Sequence, residues 1–131
     1  MSIEYIKTKD NVLTSFIIQH EFRPTGTTFV TNPELAQPVG FVVYPAGGVI
    51  KRHIHKNVDR QNISSSEPLI IREGKLEIDI FDESKSLVAT RLLEAGDFVL
   101  MVSGGHGFRG ASILLEIKLG PYGGAEDKEL F

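Results

Sequence analysis

The chain contains no cysteine. That removes disulfides, thiolate nucleophiles, zinc ribbons and iron–sulfur clusters together. Any metal site has to be built from nitrogen and oxygen donors. Long apolar runs are missing too. Stretches such as Ile113–Leu115 fall far short of the ~18 residues that a transmembrane helix needs, so no membrane partner is expected. There is no basic block, and the formal net charge is −3, which argues against nucleic acid as a partner and against a basic amphipathic membrane helix. The opening residues, MSIEYIKTKD, hold no apolar signal-peptide core, and the expectation is a cytoplasmic protein. No long segment with a 3.6-residue apolar period occurs anywhere.

What is present fits one small domain: 131 residues, 41% hydrophobic and 24% charged, enough for a core but not for two comfortable ones. Glycine, at 13 of 131 residues, exceeds the usual ~7% and suits a fold with many turns. Strands are expected at Val12–Gln19, Thr27–Thr31, Val39–Tyr44 and Val49–His55. Others are expected around Leu69–Ile71, at Lys75–Asp82, Leu87–Leu93 and Phe98–Val102, and from Ile113 to Leu119. Asn32-Pro33-Glu34 offers a helix N-terminus with room for one turn before Pro38. Glu73-Gly74-Lys75 reads as a turn. Leu76, Ile78 and Ile80 alternate with acidic residues, so Lys75–Asp82 is a half-buried strand that forms a hairpin with Leu87–Leu93. Ile113, Leu115, Ile117 and Leu119 alternate likewise and read as core. Eight to ten short strands separated by turns predict an all-β sandwich or small barrel. The domain divides into N-terminal strands (1–38), a central core (39–119) and a C-terminal tail (120–131).

Chemistry concentrates between Gly47 and Gly74. His53 and His55 lie two residues apart, so on a strand both imidazoles face the same way, which is half of a metal site. Glu67 follows, then Gly74. A third histidine, His106, lies in the glycine-rich SGGHGF, and it is the only histidine after His55. Gly105, Gly107 and Gly110 spell a dinucleotide fingerprint, but a strand pattern follows where a helix is required, so that reading is discarded. Ser103 lacks a G-x-S-x-G elbow. Arg60, Arg72 and Arg109 are candidate binders of an anionic substrate, with Arg109 favoured because it follows His106. His20 stands apart from these stretches and reads as structural or exposed.

In this arrangement the chain resembles the cupins, small double-stranded β-helix barrels of the jelly-roll type. Their first motif is G-x5-H-x-H-x3or4-E-x6-G. Here Gly47, His53, His55, Glu67 and Gly74 match its two halves, with Lys56–Ser66 as a lengthened linker of eleven residues. Asp59 stands where a motif of ordinary length has its acid and rivals Glu67, which alone is in register with the following strand and glycine. The second motif, G-x5-P-x-G-x2-H-x3-N, is met more loosely. Gly96 and His106 are present, with His106 one residue early, and the proline and asparagine are absent. The two motifs span Gly47 to Gly110, about half of the chain. The SGGHGF segment and the EIKLGPY ending are similar to those of small bacterial cupins, several of which sit among functions of sugar and cell-surface polysaccharide biosynthesis.

The resemblance implies a single-domain cupin barrel. It implies a divalent metal (Zn, Fe, Mn, Ni or Co) held at the barrel mouth by His53, His55, Glu67 and His106. Open coordination positions would face a small polar, sugar-like molecule; Arg109 and Arg60 are its expected substrate-binding residues on their guanidinium chemistry, apart from the resemblance. Two outcomes stay open. One is a metal-dependent isomerase, epimerase or dioxygenase. The other is a non-catalytic module that binds or senses a small ligand, since no acid or base besides the ligands stands out. Cupins often pair through edge strands, so a homodimer is expected.

Overall fold

A computed structural model describes residues 3–56, 66–117 and 129–131. Two compact units are distinguished, one formed by Met1–Phe22 with Ser65–Phe131 and the other by Arg23–Ser64. Among the described residues all regular structure is β, in antiparallel pairs. Among the described residues no helix is long and apolar enough to cross a membrane.

The larger unit is organised around one strand. In chain order it holds β1 (Ile3–Lys7) and β2 (Leu13–Ile18). The smaller unit supplies β3 (Thr28–Phe29) and β4 (Gly40–Phe41). The larger unit resumes with β5 (Glu67–Phe81), β6 (Leu87–Glu94), β7 (Phe98–Met101), β8 (Gly105–Arg109) and β9 (Ser112–Glu116). The fifteen residues of β5 pair with four other strands. Its first half lies between β7 and β9, and β7 continues outward to β2 and β1. Its second half lies between β6 and β8.

The sequence of β5 explains how one strand serves two sets of neighbours. Leu69 and Ile71 are buried in the first half, and Leu76, Ile78 and Ile80 in the second. Side chains alternate with period two, so the five steps from Ile71 to Leu76 would put the two apolar sets on opposite faces. A register irregularity between Ile71 and Glu73 removes that mismatch, as a bulge does. Both halves then face one core, with Ile6, Ile17, Leu93, Val99 and Met101. Each such side chain contributes roughly 1.5–3 kcal/mol on full burial. Gly74, with φ of +81°, carries the bend; a Cβ there would stand 2.2 Å from the carbonyl oxygen of Ala111. The expected turn at Glu73-Gly74-Lys75 is therefore a kink within a continuous strand.

Glu94 to Phe98 links β6 to β7, and its polar groups are closely satisfied. Buried Asp97 accepts the Glu94 N–H at 2.8 Å through Oδ2 and the His20 N–H at 2.9 Å through Oδ1. The end of β2 is thereby stapled to this turn. The β5–β6 hairpin closes in the same manner, with Asp82 Oδ1 accepting from the N–H groups of Ser84 and Ser86, both at 2.9 Å.

Several expected elements differ. β1 and β8 were not anticipated. β8 forms inside the glycine-rich stretch, because pairing with β5 supplies the hydrogen bonds that its glycines do not encode. Ile113, Leu115 and Ile117 are 55%, 44% and 47% exposed, and the β9 residue packed on the core is Leu114. The alternation was right and its facing was reversed: Leu114 pairs with fully buried Ile71 and so shares its face. Leu119 lies outside the described residues.

In the smaller unit, strand pairing is limited to Thr28↔Phe41 and Phe29↔Gly40. It is extended by Thr27 Oγ1, which accepts the Val43 N–H at 3.1 Å. Val39–Tyr44 thus contributes two strand residues. Val49–His55, expected as a strand, has no strand pairing and is exposed throughout. Asn32 forms a side-chain turn, Oδ1 accepting the Glu34 N–H at 2.9 Å. No helical turn follows, as the amide-to-backbone bond competes with a helix start.

Candidate functional site

Two pairs of residues gather the polar chemistry expected for a metal, one pair in each unit. In the smaller unit His53 and His55 stand with ring centroids 5.0 Å apart, near edge-to-face at 74°. They meet without a strand beneath them. His53 Nδ1 lies 2.9 Å from the carbonyl oxygen of Lys51. A carbonyl only accepts, so Nδ1 is the donor and the neutral ring keeps Nε2 as its lone-pair nitrogen. That is the orienting contact metal-binding histidines use.

In the larger unit Glu67 and His106 come together, Oε2 to Nε2 at 3.5 Å, with side chains 17% and 26% exposed. The route runs through the pairing. Glu67 opens β5 opposite Met101, and Leu69 follows it opposite Val99, so Glu67 shares the face of the buried Leu69, Val99 and Met101. His106 lies opposite Ile80 on β8, and Ile80 is 1% exposed. Both polar residues thus occupy positions on the apolar inner face of β5. A carboxylate and an imidazole in such a setting are candidates for function rather than for filling. Among the described residues no group of three or more His, Asp or Glu side chains is arranged to hold a metal ion.

Arg109, expected to meet an anionic substrate, faces the other way on β8. Its guanidinium is engaged by the carboxylates of Asp79 and Glu77. The hydrogen bond from Arg109, then that from Thr90 Oγ1 at 2.6 Å, holds the Asp79 carboxyl below its ordinary value. The same pairing raises Arg109. Arg60 and the rival acid Asp59 lie outside the described residues, as does most of the lengthened linker.

One polar cluster was given no role by the sequence reading. The ring Nδ1 of His20 lies 3.2 Å from Asp97, 3.5 Å from Glu21 and 3.7 Å from Glu94. Asp97 directly follows Gly96 of the second motif, so an acid buried at a tight turn was the signal available. Its bonds to two backbone N–H groups make it structural. Ser103 is structural as well, its Oγ donating to Leu13 O at 2.7 Å.

In comparisons with protein-family models, curated proteins and solved structures, nothing matches this chain.

Proposed function

We propose that the protein is a small metal-binding β-barrel protein of cupin type, with Glu67 and His106 of the larger unit and His53 and His55 of the smaller one as its candidate ligands for a divalent metal. The observation that carries the reading is the Glu67–His106 contact. Two residues far apart in sequence, singled out for metal binding, meet at 3.5 Å on an otherwise apolar face. The orientation of His53 by Lys51 O supports it. Three imidazoles and one carboxylate suit Zn²⁺, Fe²⁺, Mn²⁺, Ni²⁺ or Co²⁺. Bound there, the metal would supply Lewis-acid activation of a carbonyl or enolate, or, as iron, activation of O₂. Lys51 O orients His53, and the apolar face around Glu67 and His106 limits the access of water to that pair. The substrate class is a small polar, sugar-like molecule, and the assembly a homodimer.

A second reading rests on the same contact. An imidazole beside a carboxylate also binds a hydroxyl-bearing ligand directly, as in a non-catalytic binding module.

Elemental analysis separates the two. Protein purified without chelator or affinity metal is expected to carry about one metal per chain, lost in the His53→Ala/His55→Ala double variant. Its element then chooses the chemistry: iron for O₂, the others for Lewis-acid work. Metal-free protein that stays metal-free after reconstitution overturns the metal reading and leaves the second.

A further inference from the structure

The chain's last residues are seated on the outer face of the β5–β8 pair. The Phe131 ring meets Phe81 edge-on, with centroids 5.1 Å apart at 84°. It lies over Gly105, where a Cβ would come within 2.8 Å of Cζ, so only glycine leaves room for the ring. Lys85, in the β5–β6 turn, reaches the same segment twice. Its Nζ is 2.7 Å from Glu129 Oε1 and 5.8 Å from the Phe131 ring centroid, within cation–π range. Glu129, Leu130 and Phe131 form one wall of a cavity of about 290 Å³, and Asp79, Phe81, His106 and Phe108 are among those that line the rest. Yet Leu130 and Phe131 remain 86% and 62% exposed, so the core does not depend on them.

We propose that Glu129–Phe131 is a detachable strap, and that its seat at Phe81, Lys85 and Gly105 is a recognition site for this chain's own Glu129-Leu130-Phe131. The seat is matched to its occupant in three respects. It has a glycine floor for an aromatic ring, a phenyl edge partner, and a cation placed for the carboxylate two residues before that ring. Each contact is weak alone at a surface. Tethering supplies the remainder, because belonging to the same chain raises the effective concentration of the segment at its seat. A seat too weak to hold a free peptide tightly therefore still holds the tail closed, and a modest competitor opens it. Release of the strap removes one wall of that cavity. The strap stands whether or not His106 ligates a metal, and its test does not involve metal.

The test compares ¹H–¹⁵N spectra of the full chain with those of a chain ending at Lys128, before and after adding the free tripeptide Glu-Leu-Phe at millimolar concentration. Truncation is expected to move the amide resonances of Gly105 and Gly107 while Leu69 and Val99 stay in place. The tripeptide is expected to return the glycine resonances toward their full-length positions, and Lys85→Ala in the truncated chain to weaken that return at least severalfold. Should the truncated chain not fold, Phe131→Ala in the full chain is expected to give the same glycine shifts. Glycine resonances that ignore truncation, or Phe131→Ala, show an unseated tail and overturn the proposal. Shifts on truncation that the tripeptide does not reverse overturn the recognition site.

Discussion

Glu67 and His106 approach to 3.5 Å although His106 pairs with Ile80, thirteen residues along β5 from Glu67. A straight strand of that span would hold the two positions about 43 Å apart at ~3.3 Å per residue. The contact therefore reports how far β5 curls, and the curl runs through Gly74. Gly74→Ala puts a Cβ at positive φ and against Ala111 O. We expect it to lower stability by roughly 2–4 kcal/mol in urea denaturation. The expected companion is a loss of the Glu67–His106 contact, seen as a displaced His106 ring resonance. Unchanged stability would mean that the strand does not bend there.

The strands that carry unbroken alternation were legible: Lys75–Asp82 with Leu87–Leu93 emerges as the β5–β6 hairpin because its period-two pattern needs no context. β9 shows the limit of the same signal. Ile113, Leu115 and Ile117 alternate as well as Leu76, Ile78 and Ile80 do, and only the pairing of Leu114 with Ile71 decides which set faces in. For the candidate site, Glu67 and His106 were singled out by the motif spacing of the resemblance, while their contact depends on the bend at Gly74. Val49–His55 has the β-branched residues of a strand and lacks a pairing partner, without which strand propensity has little force. Asp97 was missed because its role lies in bonds to the backbone of His20 and Glu94, which no side-chain pattern records.

Asp97 is expected to be among the most sensitive polar positions. Its carboxylate accepts two backbone N–H groups in a site that leaves it 5% exposed. Asp97→Ala leaves both donors without their charged acceptor, and the expected cost is roughly 2–4 kcal/mol. Asp97→Asn keeps one acceptor oxygen and sets an amide N–H against the other donor, so an intermediate loss is expected. Chemical denaturation of the three proteins checks the order. Equal stability of wild type and Asp97→Ala would show that the turn closes without this staple.

The Asp79–Arg109 pair gives a pH dependence of defined sign. The folded carboxyl lies below its ordinary value of about 3.8, chiefly through the hydrogen bond from Arg109. A depressed carboxyl binds its proton more weakly in the folded than in the unfolded chain, so its contribution is complete above the ordinary value. It fades as pH falls through the folded one. We expect a stability profile measured from neutral to acidic pH to be flatter below about pH 4 in Asp79→Asn than in wild type. Both residues are solvent-accessible, so added salt should shrink the difference. Superimposable acid limbs would show that the pair does not discriminate the folded from the unfolded chain.

The facing of β9 can be tested by neighbouring substitutions. Leu114 packs on the core, whereas Leu115 is 44% exposed. Leu114→Ala removes partly buried contacts and is expected to cost roughly 1–3 kcal/mol. Leu115→Ser is expected to stay within about 0.5 kcal/mol, as surface changes do. Simple alternation, with Ile113, Leu115 and Ile117 inward, demands the opposite order, so a single pair of denaturation curves decides between them. The same variants bear on assembly. If copies of the chain pair through this exposed row, the Ile113→Ser/Leu115→Ser variant lowers the mass seen by light scattering from dimer to monomer, and Leu114→Ala does not. A wild-type chain already monomeric at working concentration removes the homodimer while leaving the facing of β9 intact.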